Sequence, residues 1–407
     1  MATLPRPQSP TVAAIFASYE ARAEAPRPHL GASVIGQSCT RQLWYGFRWC
    51  TQEAFSGRML RLFERGQREE EVFARELRAV GVEVHTLDPR TGAQFRFSVL
   101  GGHVGGSMDA ALLGIHEAPA TWHVGEFKTH NAKSFAALQA KGVQGAKPAH
   151  YAQMQLYMHW SGMQRAFYLA VNKDTDDLYA ERVRYSRDTA SALEGKAQQV
   201  VQSDEPPFRI SQDPAWYECK LCPAHALCHG NKLPAPNCRN CLHATPEMDG
   251  NARWSCALHR RDLDTATQTK GCDDHRYIPA LVNFAEQEDA CPVGNWVEYR
   301  IHDGRRFRNG SPETGGYSSA ELHAAPPAMI DTPEANYFRQ QGAQFVPPAP
   351  FEPAPKNPDI TYRWRIYNNG RHLGCYLHGK WQHWLGKGHP DYDTAVAEAD
   401  AALEQAA

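Results

Sequence analysis

The sequence predicts a mixed α/β protein. Residues 31–230 are read as a central mixed β-sheet flanked by helices, joined to a small Cys-rich, metal-stapled segment and a small C-terminal β-hairpin and helix. Three observations predict this. Short runs with apolar residues at every second position lie between segments of helical period. Strands gathered between flanking helices form one sheet. Residues 232–282 are rich in Cys and His but poor in apolar periodicity, so they call for a metal more than a core of their own.

Residues 1–30 form a Pro-rich tail in which Val12, Ile15, Phe16 and Tyr19 mark one short helix after Ser9-Pro10. A helix is expected at 57–80, followed by strands at 82–87, 94–99, 103–112 and 120–128. Next come a helix at 149–160, strands at 165–172 and 178–184, and a helix at 187–203. After the Cys-rich segment, 231–282, a small β segment occupies 283–322, with a hairpin at 294–310 turning at Asp303-Gly304. Residues 323–358 read as a Pro-rich, semi-extended linker. The module at 359–407 shows a hairpin turning at Asn369-Gly370 and an Ala-rich helix near 393–405, with Trp364, Trp381 and Trp384 as aromatics for a mini-core or for nucleic acid.

With 42% apolar and 22% charged residues the composition is globular, and a net charge of −2 confines any nucleic-acid surface to a local patch. No apolar run approaches the ~20 residues needed to span a bilayer. The N-terminus lacks the pattern of a secretory signal, so a cytoplasmic location without membrane partners is expected. Eleven cysteines in such a compartment point to metal ligation over disulfides.

The stretch TWHVGEFKTH (121–130) alternates as a strand, placing Trp122, Val124, Glu126 and Lys128 on one face. Upstream, Asp109 stands in the Gly-rich apolar run GGHVGGSMDAALLG (101–114), where a lone carboxylate is costly unless something binds it. Downstream, Gln153 and Tyr157 lie four apart on one helix. Glu70 follows Gly66 by four residues in the helix before the sheet. G-x-x-D (Gly106 to Asp109), E-x-K (Glu126, Lys128) and Q-x-x-x-Y (Gln153, Tyr157), in this order, resemble the RecB-like branch of the PD-(D/E)XK nuclease superfamily, whose core is restriction-endonuclease-like. The resemblance covers about half the chain. It implies phosphodiester hydrolysis with Mg²⁺ or Mn²⁺ held by Asp109, Glu126 and Glu70, the last in a place where many relatives carry His. Carboxylate oxygens suit these hard cations. Lys128 would orient the attacking water and offset charge on the phosphate. Gln153 and Tyr157 would position the nucleic-acid backbone and the Lys128 region, or serve as ordinary helix residues. Arg58, Arg61, Arg65 and Arg68, continued by Arg75 and Arg78, form a stripe that either tracks phosphates or is a solvated face with Glu64–Arg68 and Glu71–Arg75 pairs. Lys133, Lys141 and Lys147 bracket what reads as a loop after the active strand.

Cys219-x2-Cys222-x5-Cys228, with Cys39 far upstream, resembles the iron–sulfur nucleases of the same branch, including CRISPR-associated adaptation nucleases and end-resection enzymes. That implies a [4Fe–4S] cluster stapling the start of the nuclease domain to its end; four thiolates could also hold zinc. A second set, Cys238-x2-Cys241 with Cys256 and Cys272, predicts a zinc site. Cys256-x2-His259 and Cys272-x2-His275 leave its ligands open. Cys50, Cys291 and Cys375 read as ordinary thiols. The expected activity is a DNA nuclease, an exonuclease by preference, acting on single- or double-stranded DNA in recombination, repair or end processing in a bacterial or phage-infected cell, with recombination or replication proteins as partners. The competing class is a non-catalytic nucleic-acid-binding protein on the same fold. No G-x-x-x-x-G-K-[ST] loop occurs, so ATP-driven unwinding would come from elsewhere.

Overall fold

A computed structural model describes residues 9–22, 26–51, 55–346, 360–367, 370–377, 380–384 and 392–404. Its contacts divide the chain into two units, Phe16–Pro347 and a second made of Met1–Ile15 with Pro348–Ala407. Helix α1 (Pro10–Glu20) opens the chain. Strand β1 (Leu30–Gly31) leads into the short helices α2 (Ala32–Ile35) and α3 (Thr40–Phe47), and the long helix α4 (Gly57–Ala79) follows. Next come β2 (Glu83–His85), β3 (Arg96–Val99), β4 (Val104–Ser107), β5 (Ala110–Leu113) and β6 (His123–His130).

Two expectations change here. The strand predicted at 103–112 is two strands in different sheets, β4 between β1 and β3, and β5 between β2 and β6. The chain therefore turns at Met108-Asp109, and Asp109 sits at a break in the strand, not within it. The segment after β6, read as a loop, is the helix α5 (Ala132–Ala146), capped by Asn131 and kinked at Gly142, where φ is +66°. Alternating apolar and small residues with two glycines hid its period. Helix α6 (Pro148–Ser161) follows, with Pro at its start where the missing N–H costs nothing.

Strands β7 (Arg165–Asn172) and β8 (Leu178–Arg184) complete a five-stranded sheet in the order β2-β5-β6-β7-β8. Within this sheet β6 and β7 pair in parallel and the other neighbours antiparallel, and the crossover such a parallel pair requires is α5 with α6. Helix α4 covers one face, where Phe73, Ala74 and Leu77 meet Ala110, Leu112, Phe127, Phe167 and Leu169. Against the other face lie Met154, Tyr157 and Met158 of α6 and Val200 and Val201 of α7 (Arg187–Gln202). Helices α2 and α6 touch so closely that a Cβ on Gly36 would meet Ala152 Cβ at 2.7 Å.

Helices α8 (Tyr217–Lys220) and α9 (His225–Cys228) lead to a three-stranded sheet of β9 (Ala244–Pro246), β10 (Trp254–Cys256) and β11 (Arg261–Leu263), followed by α10 (Thr265–Lys270). This Cys-rich segment shares the main core, with Trp254 fully buried against Phe47 and His103. Two buried arginines join them. Arg239 lies over the Trp49 ring at 3.8 Å and the Trp254 ring at 4.8 Å, and donates to Gln268 Oε1 (2.8 Å), Phe47 O (3.1 Å) and Pro28 O (2.9 Å). Arg48 donates to Arg239 O (3.3 Å) and Ser203 O (3.2 Å). Burial, with Arg48 close by, pulls the Arg239 pKa down to about 9. Arg239→Ala would leave these acceptors buried without donors, so a loss of about 3 kcal/mol or more is expected. The midpoint of guanidinium unfolding, compared between wild type and variant, checks it.

The predicted hairpin at 294–310 is the second half of a three-stranded sheet, β12 (Ala285–Cys291), β13 (Trp296–Ile301) and β14 (Arg306–Asn309), turning at Asp303-Gly304 as expected. Residues 323–346, read as extended linker, instead carry the end of α11 (Ser319–Ala324) and α12 (Pro333–Gln340), with Ile330 fully buried. Pro326, Pro327 and Pro333 occupy helix starts and turns, which composition alone does not distinguish from a linker. In the smaller unit, β15 (Ile360–Tyr367), β16 (Gly370–Leu377) and β17 (Lys380–Trp384) form a meander, and α13 (Tyr392–Glu404) buries Ala395 and Ala399 with Leu373. Residues 347–359 and Asn369 lie outside the described residues, as do the side chains of Trp364, Cys375, Trp381 and Trp384. Among the described residues no helix is long and apolar enough to cross a membrane.

Candidate active site

The site forms where β5 begins beside the middle of β6. Antiparallel pairing sets Ala110 opposite Gly125, so Asp109, one residue earlier, comes level with Glu126. The Asp109 carboxylate is fixed by the Phe127 N–H, which donates to Oδ2 at 2.8 Å. Lys128 Nζ lies 3.7 Å from that oxygen, contacts Glu126 Oε1, and donates to Phe127 O at 3.0 Å. The three residues of the G-x-x-D and E-x-K motifs that carry charge thus converge on one spot.

Glu126 is fully buried, and neither carboxylate oxygen has a hydrogen-bond donor in good geometry, despite the Lys128 contact. A buried carboxylate so poorly satisfied is costly. Burial pushes its pKa up to about 8, with Asp109 and Glu70 adding to the rise and Lys128 opposing it. Burial works against the Lys128 ammonium, but Glu126 and Asp109 outweigh it and hold the pKa above the usual lysine value. Helix α4 brings Glu70 within electrostatic range of Asp109 and Lys128, and burial followed by Asp109 raises it to about 7.

These shifts fix a sign. Glu70 and Glu126 each have a folded-state pKa above the ordinary value, so the penalty is absent below about pH 4 and grows as pH rises toward 8. Metal-free protein is therefore expected to lose stability across that window. Mg²⁺ or Mn²⁺ should restore it more at pH 8 than at pH 5, and Glu126→Gln should flatten the profile; thermal unfolding against pH, with and without the cation, measures this.

Gln153 and Tyr157 lie beneath the site, both buried, with Gln153 Nε2 donating to the Tyr157 hydroxyl at 3.4 Å. Tyr157 fills the space beside Gly106, where a Cβ would meet its hydroxyl at 2.6 Å; this close approach explains the glycine in G-x-x-D. Arg58, Arg61, Arg65 and Arg68 are all exposed along α4, with the Glu64–Arg68 pair formed at 3.8 Å. Lys133, Lys141 and Lys147 lie on or beside α5.

Sequence reading missed a polar group behind Lys128. The Tyr168 hydroxyl, on β7 opposite Glu126, sits 2.8 Å from His130 Nε2 and 2.9 Å from His150 Nδ1. Burial first, then nearby lysines, drops the His130 pKa to about 4 and the His150 pKa to about 3, so both are neutral at pH 7. The available signal was parity, because Glu126, Lys128 and His130 share one face of β6.

Cys39, Cys219, Cys222 and Cys228 line a single cavity together with Arg41, Arg209 and His225. Cys39 is the N-cap of α3; the other three come from α8, α9 and the turn between them. The Ser38 hydroxyl donates to Glu218 and Arg209 donates to Cys228 O, tying this corner together. Burial raises the Cys219 and Cys222 thiols, and the other sulfurs of the set add to it. Cys238, Cys241, Cys256 and Cys272 line a second cavity. Cys50 is buried and Cys291 half-buried, both outside these cavities. The cysteines whose side chains are described are all free thiols. Among the described residues no group of three or more His, Cys, Asp or Glu side chains is arranged, as it stands, to hold a metal ion.

No protein-family model matches the chain. No curated protein matches it either. Solved structures do. The structure of SSO0001 aligns over 54% of this chain and 97% of its own, at 14% identity and a TM-score of 0.33. LHK-Exo in complex with dAMP aligns over 46% of this chain and 90% of its own, at 17% identity and a TM-score of 0.30. A second structure of that protein, over 45% and 90% at 17% identity, has a TM-score of 0.28. The solved chains to which this one shows distant similarity thus include an alkaline exonuclease, LHK-Exo, from Laribacter hongkongensis.

Proposed function

We propose that the protein is a metal-dependent deoxyribonuclease of the PD-(D/E)XK superfamily, RecB-like branch, with an iron–sulfur staple. The observation that carries this reading is the meeting of Asp109, Glu126 and Lys128 at one place, with a fully buried Glu126 whose Oε1 touches the Lys128 ammonium and whose Oε2 has no hydrogen-bond donor. Carboxylate oxygens are the donors a hard divalent cation takes, and Asp109, Glu126 and Glu70 would hold Mg²⁺ or Mn²⁺, which when bound would supply a Lewis acid for the phosphate and lower the pKa of an attacking water.

The chain's own groups do the rest. The Phe127 N–H holds the Asp109 carboxylate in place. Lys128 stays protonated and presents its ammonium to phosphate oxygens on which charge builds, a contribution of the kind preorganised donors make. Tyr157, packed on Gly106, supports the strand that delivers Asp109, and Gln153 orients the Tyr157 hydroxyl. The exposed arginines at 58, 61, 65 and 68 offer phosphate contacts for single- or double-stranded DNA. Cys39, Cys219, Cys222 and Cys228 fit a [4Fe–4S] cluster through their donor chemistry and common cavity, and its role is structural. We place the enzyme in the cytoplasm of a bacterial or phage-infected cell, in recombination, repair or end processing, beside recombination or replication proteins.

The test is cleavage by anaerobically purified protein of end-labelled linear and closed circular DNA with Mg²⁺ or Mn²⁺. Metal-dependent cutting that EDTA stops is expected, and sparing of closed circles would mark an exonuclease. Equal inertness of wild type and Asp109→Asn, with DNA binding retained, would leave the protein a binding scaffold and overturn the proposal.

A further inference from the structure

The catalytic reading makes no use of the second cysteine cluster, in the segment after α9. Cys238 and Cys241 flank a single 3-10 turn, Cys256 ends β10, and Cys272 follows α10, yet all four thiols line one cavity. We propose that Cys238, Cys241, Cys256 and Cys272 form a structural tetrathiolate site for one zinc ion, separate from the catalytic centre and from the cluster at Cys39.

Four observations select this ligand set. First, Cys238, Cys241, Cys256 and Cys272 line the same cavity as free thiols, the first three of them buried. Second, the His259 N–H donates to Cys256 Sγ at 3.5 Å, the N–H···S bond that a chain turning back over a ligating sulfur makes.

Third, each of the two histidines that sequence left open already faces another group: the buried His275 has Nε2 bonded to Asn240 Oδ1 at 2.8 Å, leaving Nδ1 without a partner, and His259 Nε2 lies 3.4 Å from Asp274 Oδ2 and 3.7 Å from Cys272 Sγ. Fourth, four thiolates around a divalent cation leave two negative charges, and the cavity wall carries a cation to offset them, Arg261. Zinc suits four sulfur donors in a closed structural site, and the two-residue spacing of Cys238 and Cys241 is a common knuckle.

The site has a mechanical consequence. The sheet that ends in Cys256 also carries Trp254 into the core and holds the turn before β4, through His103 Nε2 to Glu247 O at 2.8 Å and Ala252 N to Gly101 O at 2.8 Å. Metal loss would loosen the segment that backs this turn.

Metal analysis of the whole protein tests the proposal without any assay of cleavage. One zinc per chain is expected, released on titration of thiols with a mercurial and detected with a chromogenic chelator. Cobalt in its place should give the intense visible bands of tetrahedral thiolate coordination. Cys256→Ser and Cys272→Ser should lose zinc while iron content is unchanged, and His259→Ala should keep it. Wild-type protein lacking zinc after growth in zinc-replete medium would overturn the proposal, and this readout stands even where a Cys variant fails to fold. Zinc lost from His259→Ala but kept in Cys272→Ser would overturn the ligand set.

Discussion

Lys128→Ala is expected to lower metal-dependent cleavage by about two to three orders of magnitude, the usual cost of deleting a preorganised charge donor at a reacting oxyanion. Its Nζ lies between two carboxylates, 3.7 Å from Asp109 Oδ2 and against Glu126 Oε1. Removal has two effects. The phosphate loses a cation, and Glu126, whose pKa is already raised to about 8 by burial and neighbouring carboxylates, loses the one group that opposes the rise. A protonated Glu126 is a poor ligand, so weaker apparent affinity for Mg²⁺ or Mn²⁺ should accompany the fall in turnover, and raising the pH should recover part of the metal binding. Single-turnover rates against metal concentration at pH 7 and 9 separate the two. If only the rate falls and metal dependence is untouched, Lys128 acts on the phosphate alone. If neither changes, its place in the site is wrong.

The parts of this site readable from sequence were those set by local pattern. Period-two alternation around Val124 to Lys128 and helical period across 57–79 and 148–161 follow from short-range geometry, and the corresponding elements fall within a few residues of expectation. What escaped depends on distant contacts. The run from Gly101 to Gly114 reads as one strand because its residues favour extension throughout. Only pairing with β3 on one side and β6 on the other shows that it turns at Asp109. The interplay of Tyr168, His130 and His150 joins β6, β7 and α6, so no window of sequence contains it. Arg48 and Arg239 were equally invisible. A buried arginine is recognisable only when the carbonyls and indole rings that receive it are known, and those come from residues 28, 47, 49 and 254.

Cys39→Ser should have the largest effect on stability. Cys39 stands at the entry to α3 while its three companions come much later in the same unit; the neighbouring Ser38–Glu218 contact joins positions 180 apart in sequence. A cross-link closing so long a loop restricts the unfolded chain, which by analogy with disulfides amounts to on the order of 4 kcal/mol, and the metal–sulfur bonds add to it because their formation is linked to folding. Without the proposed cluster Cys219, Cys222 and Cys228 would also be left together in one cavity beside Arg41 and Arg209. The variant is therefore expected to lose iron and the broad visible absorbance of the cluster, to unfold at lower denaturant, and to keep its zinc. Cys238→Ser should do the reverse, losing zinc and keeping iron. Iron, zinc and unfolding midpoint measured on both proteins distinguish two independent staples from one shared site: loss of both metals in each variant would mean that the two cysteine clusters fold as a single cooperative element, and retention of iron in Cys39→Ser would remove Cys39 from the cluster.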